Sequence, residues 1–118
     1  MTRIVFDLDD TICFPNHKEK ETHEKYRLAK PNKLVIDGMI KLKNDGFYII
    51  IHSARRMLTH NGDIHRIIQD VGKTTEDWLV EYGVPYDELI FGKPYADSYY
   101  VDDKAMTIEE FIKWTSLT

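Results

Sequence analysis

The sequence predicts an α/β fold built on a mostly parallel sheet, and three observations carry that prediction. Short apolar runs rich in β-branched residues alternate with segments whose apolar residues recur at helical spacing. The runs break off abruptly, most of them into polar or acidic residues, as buried strands do at a sheet edge. A chain of 118 residues, 42% of them hydrophobic and fourteen of them aromatic, can bury one sizeable core but not two. The expectation is a single domain over 1–118 with a short flap at 14–32.

The elements follow in order. Arg3 to Phe6 reads as a buried strand that ends in Asp7, Asp9 and Asp10. From Phe14 to Asn32 the periodicity is lost: Pro15, Asn16, Pro31 and Asn32 bracket a charged loop, with room for one helical turn at His23 to Leu28. Val35, Ile36, Met39, Ile40 and Leu42 then follow helical spacing over Lys33 to Asp45, and Gly46 stands where a left-handed C-terminal cap is favoured. Phe47 to Ile51 is a continuous apolar run, the mark of a central parallel strand, and it leads into His52 and Ser53. Ile64, Ile67, Ile68 and Val71 stay in phase with Trp78, Leu79 and Tyr82, which predicts one long helix with Gly72 inside it and Gly83 at its end. Two further strands are expected at Glu88 to Phe91 and Tyr99 to Val101, the second ending in Asp102 and Asp103. Thr107 and Glu110 have capping-box spacing ahead of Phe111, Ile112 and Trp114, which predicts a last helix.

Charge and cysteine content narrow the function classes. A formal net charge of −4 supplies no global field for nucleic acid or anionic lipid. No apolar stretch approaches a membrane span, and the first residues lack the layout of a signal peptide. One cysteine, Cys13, excludes an internal disulfide, and no Cys/His spacing resembles a zinc site. A cytoplasmic, reducing setting is the consistent expectation. The six glycines form neither a G-x-G-x-x-G nor a P-loop pattern, so no nucleotide cradle is indicated.

In a parallel α/β sheet the site lies beyond the carboxyl ends of the strands. Those ends carry Asp7 and Asp9, then Ser53, then Lys93, then Asp102 and Asp103. Four carboxylates drawn to one edge repel one another unless a cation sits among them, and Mg2+ suits a few carboxylates combined with a substrate phosphate. Ser53, Lys93 and an arginine, Arg55 or Arg56, are donors for phosphate oxygens. A carboxylate such as Asp7 can act as a nucleophile through an aspartyl phosphate, and Asp9 can then serve as the proton donor and acceptor.

The same residues resemble the haloacid dehalogenase (HAD) superfamily. Asp7-Leu8-Asp9-Asp10-Thr11 resembles its DxDx[TV] motif, Ile49 to Ser53 its second motif, Lys93 its third-motif lysine, and Asp102-Asp103 its acidic fourth motif, all in the family's order. The resemblance implies a three-layer α/β/α Rossmann-like fold and a phosphatase. In it Asp7 is nucleophile and metal ligand, and Asp9 is general acid and base with its backbone carbonyl on Mg2+. Ser53, Ala54 and Lys93 bind phosphate, Asp102 ligates the metal, and Asp103 ligates it or orients a ligand water. Arg55 is a candidate substrate contact. Asp10 stands where many relatives carry Gly.

The stretches Ser53 to Met57, Thr75 to Leu79, Gly83 to Glu88, Gly92 to Pro94 and Tyr100 to Lys104 are similar to those of capsule-biosynthesis phosphatases in that superfamily. That likeness implies a phosphorylated sugar or polysaccharide intermediate as substrate. The second motif with its arginine also resembles the 3′-phosphatase domain of polynucleotide kinases, so a nucleotide or polynucleotide 3′-phosphatase is the alternative, with nucleic acid disfavoured by the overall acidity. A receiver-like or non-catalytic phospho-binding module is the third reading; a receiver's acceptor aspartate should end the central strand, where this chain has His52-Ser53. Neither the 19 residues of the flap nor Ala54 to Ile90 can hold a cap domain, so the resemblance implies a cap-less, open site, compatible with closure by a second copy in a homo-oligomer. His17 to Lys33 carries six basic and three acidic residues, a local field suited to drawing in an anionic substrate.

Overall fold

In the computed structural model, which describes residues 2–116, strand β1 (Arg3–Phe6) is followed by a two-residue strand β2 (Cys13–Phe14), helix α1 (Thr22–Arg27) and a two-residue strand β3 (Lys30–Pro31). Helix α2 (Lys33–Asn44), strand β4 (Tyr48–Ser53), helix α3 (Ile64–Ile67), a π-helical turn (Ile68–Gly72), helix α4 (Lys73–Glu81), strand β5 (Glu88–Phe91) and helix α5 (Ile108–Ser116) complete the order. The main sheet is three-stranded and parallel, in the order β1-β4-β5. Its register pairs Phe6 with Ile51 and Ser53 with Phe91, which puts the carboxyl ends of all three strands on one edge.

Local chemistry accounts for the element ends. Gly46, at φ +92°, lets the Phe47 N–H reach back to the Leu42 carbonyl at 3.0 Å and closes α2. Gly83, at φ +63°, does the same for α4, with Val84 N–H on Leu79 O at 2.9 Å. The capping box forms as its spacing predicts: the Thr107 N–H donates to Glu110 Oε1 at 2.9 Å and the Glu110 N–H to Thr107 Oγ1 at 3.1 Å. The helix runs on through Gly72, as expected, but its middle opens into the π turn, and Ile64, Ile68 and Tyr82, expected on the buried face, are exposed. Ile67, Val71 and Thr75, spaced by four, are all buried.

Two expectations change. The flap is more ordered than its sequence suggests, because β2 and β3 pair antiparallel at its base and α1 buries Tyr26. The Trp78 indole N–H donates to Ala29 O at 2.9 Å, and His23 Nδ1 lies 2.9 Å from Thr74 Oγ1, which ties the flap to α4. Tyr99 to Val101 does not form a strand, so the outer edge of β1 carries no partner among the described residues. Three apolar residues between Asp97-Ser98 and Asp102-Asp103 are a weak strand, and the Tyr100 hydroxyl donates to Pro94 O, curling the segment upon itself.

One core holds Phe6, Leu8, Met39, Ile49, Ile51, Leu79 and Phe111 among others. Helices α2 and α5 pack at Gly38, and the Phe111 ring meets Phe6 edge-on at 5.0 Å. A Cβ at Gly38 would fall 2.7 Å from the Phe111 ring. Gly38→Ala is therefore expected to destabilise the fold by about 1–3 kcal/mol through overpacking, against a helix-propensity gain of about 1 kcal/mol. A urea midpoint that rises in the variant would refute this packing of α2 on α5.

Candidate functional site

The turn after β1 positions the first two carboxylates. Leu8 is fully buried and its carbonyl accepts from Ile12 N–H at 2.8 Å and Thr11 N–H at 3.2 Å, while Asp10 takes the left-handed conformation at φ +64° that short polar side chains tolerate. With Leu8 pointing inward, Asp7 and Asp9 flank it and both border a cavity of about 370 Å3. Asp7 Oδ1 lies 3.2 Å from Lys93 Nζ, and Asp7 Oδ2 accepts weakly from the Thr11 hydroxyl at 3.4 Å.

Lys93 reaches Asp7 because Gly92, at φ +103°, turns the chain at the end of β5, and both the Gly92 and Lys93 N–H groups donate to Ser53 O at 3.1 and 3.0 Å. The positive φ at Gly92 favours glycine, and a Cβ there would also displace the end of the exposed Ile64 side chain. The Lys93 ammonium also sits 4.2 Å from the centre of the Tyr100 ring.

Asp9 is held differently. Arg55 is 3% exposed, and its Nε donates to Asp9 Oδ1 and Oδ2 at 3.1 and 3.0 Å, its Nη2 to Oδ1 at 2.9 Å, and its Nη1 to Thr75 Oγ1 at 2.8 Å. The Tyr26 ring covers the guanidinium at 4.1 Å. The Cys13 thiol, pushed up to about 12 by burial and by Asp9, stays protonated and lies 3.5 Å from Asp9 Oδ1. The sequence singled out Arg55 as a substrate contact; in the structure its donors are directed at protein partners.

Ser53 is fully buried, with its Oγ accepting the Arg55 N–H at 3.0 Å, and it borders neither main cavity, whereas Ala54 lines the one beside Asp7 and Asp9. The reason is strand alternation: Ser53 follows Ile49 and Ile51 on the buried side of β4. Asp102 borders a second cavity of about 720 Å3 together with Asp7, His52 and Lys93. Its carboxylate accepts from the Lys104 N–H at 2.9 Å, a bond that holds it below the usual carboxylate range. Asp103 borders neither cavity. Among the described residues no three His, Cys, Asp or Glu side chains form a group that could hold a metal ion, so the expected convergence of four carboxylates is not assembled here. The missing strand at Tyr99 to Val101 is the physical reason: without a ladder on β1, nothing draws the acidic pair against Asp7.

Tyr26 and Thr75 join this cluster and were given no role in the sequence, although Thr75 opens one of the stretches similar to capsule-biosynthesis phosphatases. Thr75 could have been found from its place four residues beyond Val71 in the buried helical phase; Tyr26 sits in a short helix with no sustained period, which left no signal.

The parallel three-stranded sheet with its packed helices is a HAD-like α/β fold, on its superposition with solved structures. A D,D-heptose 1,7-bisphosphate phosphatase from B. bronchiseptica, crystallised with magnesium and phosphate, superposes with a TM-score of 0.52 at 11% identity over 89% of this chain and 54% of that one. A chain of the Pnkp1/Rnl/Hen1 RNA repair complex superposes with a TM-score of 0.57 at 19% identity over 98% of this chain and 30% of that one. The chain belongs to one family with a Vibrio cholerae protein solved as an MCSG target, at 32% identity and a TM-score of 0.83 over 95% of this chain and 88% of that one. No family model and no curated protein matches the chain.

The loop that rims the site beyond Arg55 is fixed by Asp70, which accepts from Arg56 Nε at 3.0 Å and pairs with His60 Nε2 at 2.8 Å. Burial pushes the Asp70 carboxyl up, but the His60 and Arg56 hydrogen bonds outweigh it and hold the group below its ordinary value. A depressed carboxylate contributes stability that is complete above the unfolded value of about 3.9 and is lost as pH falls through the folded value. Asp70→Asn should therefore cost about 1–3 kcal/mol at pH 7, and the gap to wild type should close below about pH 4. Denaturant midpoints at the two pH values check both statements.

Proposed function

We propose that this chain is a Mg2+-dependent phosphomonoester hydrolase of HAD type that works through an aspartyl phosphate on Asp7. The observation that carries the reading is that Asp7 and Asp9 border one cavity in different settings, Asp7 beside the Lys93 ammonium and Asp9 clamped by Arg55. Two carboxylates in different surroundings take different roles. An Asp7 oxygen attacks phosphorus, the bond to the leaving oxygen breaks, and Asp9 gives that oxygen a proton. Water then attacks the aspartyl phosphate, Asp9 takes its proton, and the bond from phosphorus to Asp7 breaks to release phosphate. Lys93 offsets the repulsion between Asp7 and the incoming anion. Ala54 lines the cavity, and the Ser53 hydroxyl accepts the Arg55 N–H beneath it.

Mg2+ asks for one or two carboxylates besides water and phosphate oxygens, and the donor types fit: Asp7 and Asp102 border the same cavity without converging here and, on the HAD resemblance, would hold the ion. The HAD resemblance adds the Asp9 carbonyl and, directly or through water, Asp103. When bound, the ion supplies positive charge to the phosphoryl oxygens.

The leading substrate is a phosphorylated sugar or polysaccharide-biosynthesis intermediate, on the strength of the capsule-phosphatase likeness. On this reading the 14–32 flap lies beside an open, cap-less site, the setting is the cytoplasm, and a second copy in a homo-oligomer is compatible with closing the site. Among the described residues no helix is long and apolar enough to cross a membrane. A nucleotide or polynucleotide 3′-phosphatase is the second reading. It is favoured by the cavity wall, where Lys25 stands with Tyr95 and Tyr100, an arrangement able to meet a base and a further phosphate.

Wild type is expected to release phosphate from p-nitrophenyl phosphate with Mg2+ and to stop when EDTA removes the metal. Asp7→Asn should lose about 1,000-fold or more in kcat and Asp9→Asn about 100-fold. Undiminished turnover by Asp7→Asn would sink the assignment, and a panel of sugar phosphates, nucleotides and 3′-phosphorylated oligonucleotides separates the two substrate readings. If the flap's charge draws in the anion, Lys18→Gln with Lys20→Gln lowers kcat/KM and flattens its salt dependence. An unchanged salt slope would rule that contribution out.

A further inference from the structure

The hydrogen bonds around Asp9 are not shared equally by its two oxygens. Oδ1 takes Arg55 Nη2 at 2.9 Å, a share of Arg55 Nε at 3.1 Å and the Cys13 thiol at 3.5 Å. Oδ2 takes only the other share of Nε, at 3.0 Å. A carboxylate has about four lone-pair sites, two on each oxygen. Oδ1 is saturated, and Oδ2 keeps one site open. Arg55 is itself over-determined: Thr75 Oγ1 holds Nη1 and in turn donates to Val71 O at 2.7 Å, and Tyr26 of the flap covers the guanidinium face at 4.1 Å.

From this geometry we infer that Arg55 is a positioning residue that anchors Asp9 by Oδ1 and leaves Oδ2 as the oxygen that carries the catalytic proton, with Thr75 of α4 and Tyr26 of the flap fixing Arg55 in turn. The inference rests on the acid–base role proposed for Asp9. It replaces the expectation that Arg55 touches substrate, since a guanidinium 3% exposed with its donors engaged has little left to offer a phosphate. The flap thereby gains a second role, because α1 seats Tyr26 on Arg55 and makes the flap's docking and the aim of Asp9 one mechanical unit.

A group that aims a proton donor matters most when the leaving oxygen needs the proton. p-Nitrophenolate leaves readily as an anion; phenolate does not. Arg55→Lys keeps a charge but replaces the fork with a single ammonium. It is expected to lower kcat on phenyl phosphate by about 10-fold or more, with KM within about twofold, and to cost several-fold less on p-nitrophenyl phosphate. In an Asp9→Asn background the same change should cost almost nothing, because no proton remains to be aimed. Equal losses on both substrates that add to the loss from Asp9→Asn would overturn the inference in favour of a merely structural role. A raised KM at unchanged kcat would overturn it in favour of substrate contact. Thr75→Val, which removes the Nη1 acceptor and keeps Arg55, carries the same comparison should Arg55→Lys fail to fold, with a smaller loss in the same direction. Wild type that turns over neither substrate with Mg2+ removes the hydrolase reading itself, an outcome distinct from active wild type with uniformly impaired Arg55 variants.

Discussion

A guanidinium buried among β1, the flap and α4 is the constraint around which the rest of the site is organised. Removing a charge from water is costly unless it is paired and its donors are satisfied, and deleting one partner of such a pair typically costs about 3–5 kcal/mol. Arg55 meets that demand by drawing one group from each neighbour: Asp9 from the turn after β1, Thr75 from α4, Cys13 from β2 and Tyr26 from α1. These segments are far apart in the chain. Satisfying one charge therefore fixes where the flap rests, how α4 is rotated and which way Asp9 points.

The two catalytic candidates are separated by the same logic. Leu8 is buried completely between them, which anchors the strand end and spreads the aspartates to either side. Asp7 meets a point charge on a long lysine stem, whereas Asp9 meets a planar fork that resists rotation. On the roles proposed for them, a nucleophile needs freedom to approach phosphorus and a proton donor needs a fixed direction, and the two partners match those needs.

Much of the architecture is legible from periodicity alone. The helix closed by Gly46 and the capping box at Thr107 rest on interactions within a few residues, which leave a pattern in the chain, and the strands at Arg3–Phe6 and Glu88–Phe91 show as apolar runs although their ladders reach distant residues. The expected strand at Tyr99 to Val101 shows the limit. Its three apolar residues satisfy the pattern, but a strand needs a ladder, and whether β1 offers its outer edge is a matter of where the chain returns in space.

From the sequence alone came the parallel α/β class, the residues that stand at the strand ends and the likeness to the HAD motifs, because each is a statement about order and spacing along the chain. Folding in three dimensions assigned the partners. Arg55 reads in sequence as a donor for substrate and meets Asp9 instead; Ser53 reads as a phosphate ligand and is buried by the alternation of β4; Tyr26 and Thr75, given no role in sequence, enclose the guanidinium. The contacts of Arg55 join residues 20 to 46 positions apart. A buried charge selects such contacts by the geometry of its hydrogen bonds, and spacing along the chain carries no record of that geometry.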